Sequence, residues 1–265
     1  MWRGLYTAAA GMVTETVRTD TIANNLANTN TTGYKRDEAV DREFEPMLLR
    51  RINDHSSNDV TSFKGFSVGS QAPVVGEMGL GSYTREIATD HAQGSMQATG
   101  NPLDLAIEGQ GYFAIATPQG VRYTRDGSFT RSAQGQLVTR NGQAVLDTQG
   151  QGIIIPGNAS NISIGAKGQI IVDGQDVAQL QFVQFNDRRA VIKQGNSLYF
   201  PQNGAQPQAA TGDIQQGLLE RSNVNTVSEM VNLINNYRVY EAGSKAVITQ
   251  DSMLDKSVNE VGRVS

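Results

Sequence analysis

Three carboxylates (Asp104, Glu108, Asp126), two histidines (His55, His91) and the run Gly109-Gln110-Gly111 are the residues whose types could support chemistry. Two carboxylates facing each other across a cleft can split a glycosidic bond, one as acid and the other as base or nucleophile. Nothing in the spacing of these three separates them from ordinary strand-end charges, so glycan cleavage stands only as an alternative. Two histidines without a thiol or acidic cluster do not form a metal ligand set. Gly109-Gln110-Gly111 lacks the third glycine of a dinucleotide loop, and Tyr112-Phe113 follows where a helix should open. A tight turn between strands fits it better. Arg122, Arg125, Asp126 and Arg131 read as an alternating-charge strand face, suited to cross-strand ion pairs or an intersubunit contact. The chain has no cysteine, which removes disulfides, thiolate catalysis and Cys-ligated metal together. No enzyme, cofactor or metal is expected.

Composition points the same way. Only 18% of residues are charged while 28 are glycine, a turn-rich profile that suits many short strands better than an enzyme core. Net charge is −4 and no Lys/Arg run is dense enough to track phosphates, so nucleic acid is not an expected partner. No apolar run reaches the roughly 18 residues of a membrane span. Arg3 followed by Leu5–Val13 faintly resembles a signal peptide, but Gly4 and Gly11 break it and it runs directly into a helical pattern. It is read as the first helix of the mature protein, with any export proceeding without a cleaved leader.

The elements that organise the chain lie at its ends. Met230, Leu233, Tyr237, Tyr240, Ser244, Val247, Asp251, Leu254, Val258 and Val261 step by three and four without a break. Thr226-Val227-Ser228-Glu229 reads as the capping box that opens this helix, and Gly262 as its stop. Trp2, Leu5, Ala9, Met12, Thr16, Thr19, Ala23 and Leu26 keep the same step, thickened by Val13 and Ile22. Such a/d spacing predicts a coiled-coil-like antiparallel pair. The N-terminal seam is thin, so the ends are expected to be loose in one copy and fixed by neighbours. A helical hairpin closing a monomeric domain is the other reading. Asn24 and Asn28 share a helix face ahead of Gly33; they mark either a fraying end with an αL stop or amides that fix register against a neighbour.

The expected fold is α+β, with terminal helices enclosing an all-β middle of short antiparallel strands. Residues 1–33 form the first assembly helix, 34–73 an extended segment, 74–200 the β domain, 201–225 a return linker and 226–265 the second assembly helix. Asn53–Gln71 is a long polar stretch that carries function or rests on another molecule. Within the β domain, hairpin marks stand at Asp126-Gly127, Gly135-Gln136, Asn141-Gly142, Gly150-Gln151, Gly168-Gln169 and Asp173-Gly174. Between them lie short β-prone runs that include Ala144–Leu146 and Ile153–Ile155.

Several motifs together resemble the bacterial flagellar rod and hook protein family. Ile22 to Asn28 followed by Thr32-Gly33-Tyr34-Lys35-Arg36 is similar to its N-terminal signature. Pro102–Ile107 with Gly109–Phe113, then Tyr123–Phe129 with Gly135–Val138, resembles its middle blocks. Ser222–Met230, Tyr240-Glu241 and Ser244-Lys245-Ala246 are similar to its C-terminal helix. The ending from Leu254 to Val264 resembles the proximal rod type most, with the distal type close behind. The resemblance implies a structural rod subunit outside the cytoplasmic membrane, exported by the flagellar type III apparatus and stacked helically. Its partners would be copies of itself and other rod and hook-type axial proteins. Seams and resemblance together give an assembly interface of Leu5, Met12, Ile22, Asn24, Asn25, Leu26, Asn28, Gly33, Tyr34, Met230, Leu233, Tyr237, Tyr240, Val247 and Leu254. On this reading Glu38–Gln71 is a rod-type extension that wedges between subunits and stiffens the tube. A secreted monomeric β-rich binding module is the alternative function.

Overall fold

The computed structural model describes residues 2–50, 62–63, 66–67, 74–157, 159, 161–202 and 204–261. His55, most of Asn53–Gln71 and the expected stop at Gly262 lie outside the described residues. The fold is α+β and divides into two compact units. One comprises Met1–Thr21, Ala39–Ile87 and Asn232–Ser265; the other comprises Ile22–Glu38 and Ala88–Val231.

The first unit holds most of two helices, α1 (Trp2–Ala27) and α2 (Thr226–Lys256), the second continuing as a π-helical turn over Ser257–Val261. Alanines and the absence of proline favour α1. Its threonines bond back onto it: Thr14, Thr16 and Thr19 donate to the carbonyls of Ala10, Met12 and Glu15 at 3.1, 2.9 and 2.8 Å. Within the stretch expected to be extended, Asp37–Glu43 pairs with Ser82–Thr89 and Met47–Arg50 pairs with Val74–Met78. Ser62–Phe63 and Phe66–Ser67 form a further short pair. Among the described residues no helix is long and apolar enough to cross a membrane.

The second unit is built on one strand. Tyr112–Thr117 pairs antiparallel with Gly120–Thr124 on one side and Phe182–Gln184 on the other, inside a six-stranded sheet. Side chains alternate across a strand. Phe113 and Ile115 therefore enter a core with Leu105, Ile107, Phe129 and Leu137, while Tyr112 and Ala114 enter a second with Tyr123, Val183, Phe185 and Tyr199. Apolar runs without strict alternation are what a sheet buried on both faces requires.

The turn glycines mostly behave as expected: Gly135, Gly142, Gly150, Gly168 and Gly174 all take positive φ. Gly127 does not. It is required because a Cβ there would lie 1.7 Å from the Leu105 carbonyl oxygen. Ala144–Leu146 and Ile153–Ile155 are not regular strands; Val145 and Leu146 make only isolated bridges, to Ile115 and Gly152. Val145, Leu146, Ile153 and Ile155 still fill the cores while Ile154 is exposed, so the apolar pattern mostly reported burial and overstated ladder pairing. Residues 201–225 run against the β structure. Gln208–Ala209 joins the large sheet, Asp213–Gln216 pairs with Leu105–Glu108, and Leu218–Glu220 pairs with Met96–Ala98.

The start of α2 differs from the capping box. The Asn225 side chain accepts from Ser228 N at 3.1 Å, and Glu229 N donates to Asn225 O at 3.0 Å. Asn225, not Thr226, is the cap. The Glu229 carboxylate is buried and taken by Arg36 instead.

Candidate functional site

Within the second unit, the five residues that follow the first helix and its turn are each fastened to the β structure. Gly33 has φ 65°, and a Cβ there would meet the Arg125 carbonyl carbon at 2.5 Å. Its N–H donates to Glu220 O at 2.8 Å. Only glycine fits both demands. Tyr34 is buried and donates to Asn25 Oδ1 at 3.1 Å. Asn25 also bonds reciprocally with the Asp37 backbone, donating to its carbonyl at 2.7 Å and accepting from its N–H at 2.9 Å. The amide thus stands in for a strand partner.

Lys35 is completely buried, as is Glu220, and the Lys35 ammonium meets the Glu220 carboxylate at 2.5 Å and the Ala92 carbonyl at 2.8 Å. The other Glu220 oxygen faces Arg125 Nη1 at 3.4 Å, and Gly94 N donates to the first at 3.0 Å. Arg125 further donates to the carbonyls of Gly111 and Gly109 at 3.1 and 2.7 Å and lies over the Tyr112 ring. Two cations share one carboxylate, and carbonyl dipoles and a ring face take up the excess positive charge. Burial pulls the Lys35 ammonium below the usual lysine range; Glu220 opposes that and Arg125 adds to it. Burial, then Arg125 and further cations, bring His91 down to about 4, so it is neutral at neutral pH beside the Tyr112 hydroxyl. Arg36 N donates to Asn223 Oδ1 at 2.7 Å, and its guanidinium reaches Glu229 at 3.3 Å. Lys193 pairs with Asp37 at 2.8 Å and stacks its ammonium 4.0 Å above the Tyr34 ring. Burial lowers the Lys193 pKa against the pull of Asp37.

The carboxylates whose types suggested chemistry are engaged in ordinary structural bonds. Asp126 accepts from Thr32 at 2.6 Å and from Ser128, Asp104 accepts from Asn101, and Glu108 accepts from Gln215. Among the described residues Arg122, Arg125, Asp126 and Arg131 make no ion pairs with one another across strands, one of the two expectations for this face. Arg122 bonds Gln194, Arg131 bonds the Pro156 carbonyl, and Arg125 turns inward to Glu220. No cluster that could hold a metal occurs among the described residues.

In the first unit, α1 and α2 touch at three described places. Asn236 is buried and donates to Glu15 O at 2.7 Å and to Thr19 Oγ1 at 2.5 Å. A Cβ on Gly243 would meet Met12 at 2.9 Å, and one on Gly4 would meet Gln250 at 3.3 Å. The inward positions are Leu5, Ala8, Met12, Glu15 and Thr19 on α1, and Leu233, Asn236, Gly243, Val247, Gln250 and Leu254 on α2. Leu5, Met12, Leu233, Val247 and Leu254, all positions of the expected seam, are half-buried. Tyr240 shares their register at 39% exposed, while Met230 and Tyr237 are exposed at 48% and 60%. The intervening seam positions lie one residue earlier than the apolar reading, because Asn236 finds acceptors and Gly243 leaves room for Met12. Of the asparagines, Asn25 is buried, whereas Asn24 is exposed and bonds Asn28 along its own helix. Ile22 is buried and Leu26 half-buried. Glu220 is not singled out by the sequence, and Lys35, Arg125, Asn223 and Glu229 are read there in other roles, as signature residues, a strand-face charge and a capping-box carboxylate. The available signal was a glutamate directly after Leu218-Leu219 and an arginine directly after a buried strand.

Family models match along most of the chain: a flagella basal body rod protein model over residues 5–35, a flagellar hook protein FlgE/F/G D1 domain model over 106–172, and a flagellar basal body rod FlgEFG C-terminal model over 215–260. A flagellar basal-body rod protein FlgG of Bacillus subtilis is 36% identical, covering 98% of this chain and 99% of the relative. The FlgG of Caulobacter vibrioides is 36% identical over 95% of this chain and 97% of its own length. A flagellar hook-basal body complex protein, FlhO of Bacillus subtilis, is 31% identical over the full length of both. With that coverage, the chain belongs to the flagellar basal-body rod and hook protein family, as a structural component of the basal body rather than an enzyme.

Proposed function

We propose that this rod subunit polymerises helically through α1 and α2, packing against copies of itself and other axial proteins, and carries torque along the resulting shaft. The observation behind this reading is a contrast in burial. The β structure has two filled cores, while the helices leave Val13, Val227, Ile234, Tyr237 and Ile248 between 53% and 71% exposed. The seam joining the helices is weak, since it includes Glu15, Thr19, Asn236 and Gln250, and Glu15 Oε2 and Gln250 Oε1 are buried without a partner. A coiled-coil-like core would form when neighbouring copies add to it. Each seam side chain contributes about 1.5–3 kcal/mol on burial, against roughly 1–2 kcal/mol per residue for ordering the backbone. Assembly on these terms is nucleated and cooperative. The FlgG names of the relatives favour the type that the C-terminal ending placed second. Export through the flagellar type III apparatus belongs to the same proposal. Electron microscopy of purified full-length protein should show tubes, and Leu233→Asp or Leu254→Asp should abolish them while leaving the β structure's circular dichroism intact. Normal tubes from either variant would overturn the reading.

A further inference from the structure

The first unit carries an apolar cleft of about 340 Å³ between α1 and the strand Ser82–Thr89, walled by Ala10, Val13, Val17, Phe44 and Tyr83. Val13 is 66% exposed there, and the Phe44 and Tyr83 rings stand 5.0 Å apart at its rim. Small-molecule sites add a few convergent polar groups to an apolar lining. Here both threonines are engaged: Thr14 bonds the Ala10 and Ser82 carbonyls, and Thr84 bonds Asp41. Apart from the hydroxyls of Ser82 and Tyr83 the rest of the lining is apolar, which suits an apolar ridge. α2 supplies one. Val227, Met230, Val231, Ile234 and Tyr237 are all exposed and fall within about a third of the helix circumference. The face carrying Leu233, Asn236 and Gly243 is a different one. Because Asn236 is held on Glu15 and Thr19, α2 cannot rotate to offer this ridge to its own chain's cleft.

We propose that the cleft of one copy receives the Met230–Tyr237 ridge of α2 from a second copy. Charge at the two rims agrees on balance: exposed Glu43 and Glu45 flank Phe44 and outnumber the neighbouring Arg42, while exposed Arg238 follows Tyr237 and Glu241 is paired with Lys245. A concave patch meeting a convex patch elsewhere on the same chain is a heterologous contact, which propagates into an open filament unless the rotation closes. The inference rests on the self-assembly reading and names its contact.

Two full-length variants test it in sedimentation velocity. Val13→Glu spoils the cleft and keeps the ridge; Ile234→Glu does the reverse. Each places an unpaired charge in the contact and should weaken self-association at least about a hundredfold. Mixed, they should form a one-to-one pair and nothing longer, because each contributes its intact surface. Arg238→Glu should also weaken association, and Glu43→Lys with Glu45→Lys in the partner should restore it. Val13, Glu43, Glu45, Ile234 and Arg238 are all exposed, and circular dichroism checks the fold. If the wild type assembles but the mixture stays monomeric, or if Val13→Glu assembles normally, the cleft–ridge contact is wrong and the self-assembly reading stands. A wild type that never associates overturns both.

Discussion

Replacing Glu220 by glutamine should be among the most damaging near-isosteric changes in the β unit. The carboxylate accepts from Lys35 Nζ, Gly94 N and Arg125 Nη1, and both Lys35 and Glu220 side chains are wholly buried. An amide keeps one acceptor oxygen and turns an NH2 toward a cation, leaving a buried net charge of two with no counterion. Breaking a buried ion pair from one side costs about 3–5 kcal/mol, a large part of the roughly 5–15 kcal/mol that holds a domain folded. Lys35→Met should cost much less, since Glu220 retains Arg125 and Gly94 and a costly ammonium is no longer desolvated. The pH dependence carries a sign. Lys35 already has a folded pKa below its unfolded value, so the unfolded state binds more protons between the two and stability rises with pH across that window. Without Glu220 the folded pKa falls further and the window widens downward. Urea unfolding followed by far-UV circular dichroism from pH 7 to 10 should show Glu220→Gln recovering part of its deficit as pH rises. Lys35→Met should be flatter than wild type. A Glu220→Gln variant within about 1 kcal/mol of wild type at pH 7 would refute the claim that this carboxylate neutralises a dry site.

Gly33→Ala combines a left-handed φ of 65° with a 2.5 Å approach to the Arg125 carbonyl carbon. It should lower stability by at least about 2 kcal/mol in the same assay, beyond backbone strain alone. Asn25→Ala strands the Asp37 N–H and the Tyr34 hydroxyl, so a loss of about 1–3 kcal/mol is expected. Asn24→Ala, at an exposed position, should stay within about 0.5 kcal/mol; equal losses from the two would show that the buried amide has no special role.

The helices, the β middle and most of its turns were legible because each depends on local pattern. A 3–4 step makes a helix face, and glycine at positive φ makes a turn. The seam register was half legible. Leu5, Met12, Leu233, Val247 and Leu254 are half-buried at positions that either choice of step includes, since every seventh residue is common to both. The choice between Asn236 and Tyr237 is made by bonds from Asn236 to Glu15 and Thr19. Apolarity alone prefers the tyrosine. The tyrosine is instead left outward, where it becomes part of a second apolar face.

The clamp was illegible for a related reason. Lys35 and Glu220 are 185 residues apart and make one of the most buried ion pairs in the chain. Burial is inferred from hydrophobicity, and charged residues are assigned to solvent by the same rule, so a buried charge is hidden wherever its partner is distant. Glycine gives the pattern away in retrospect. Gly33, Gly94, Gly109 and Gly111 each bring backbone up to this cluster, with Gly94 N on Glu220 and the carbonyls of Gly109 and Gly111 on Arg125. A side chain at Gly94 or Gly111 would lie 1.9 Å from the Arg221 carbonyl oxygen or 2.1 Å from the Phe182 ring. Glycine at these positions lets backbone approach the buried cations, although three of the four lie far in sequence from any arginine or lysine. The residues from Gly33 to Asp37 thus do more than end a helix. They fix the direction in which the chain leaves it, by bonds that hydrophobic periodicity does not encode.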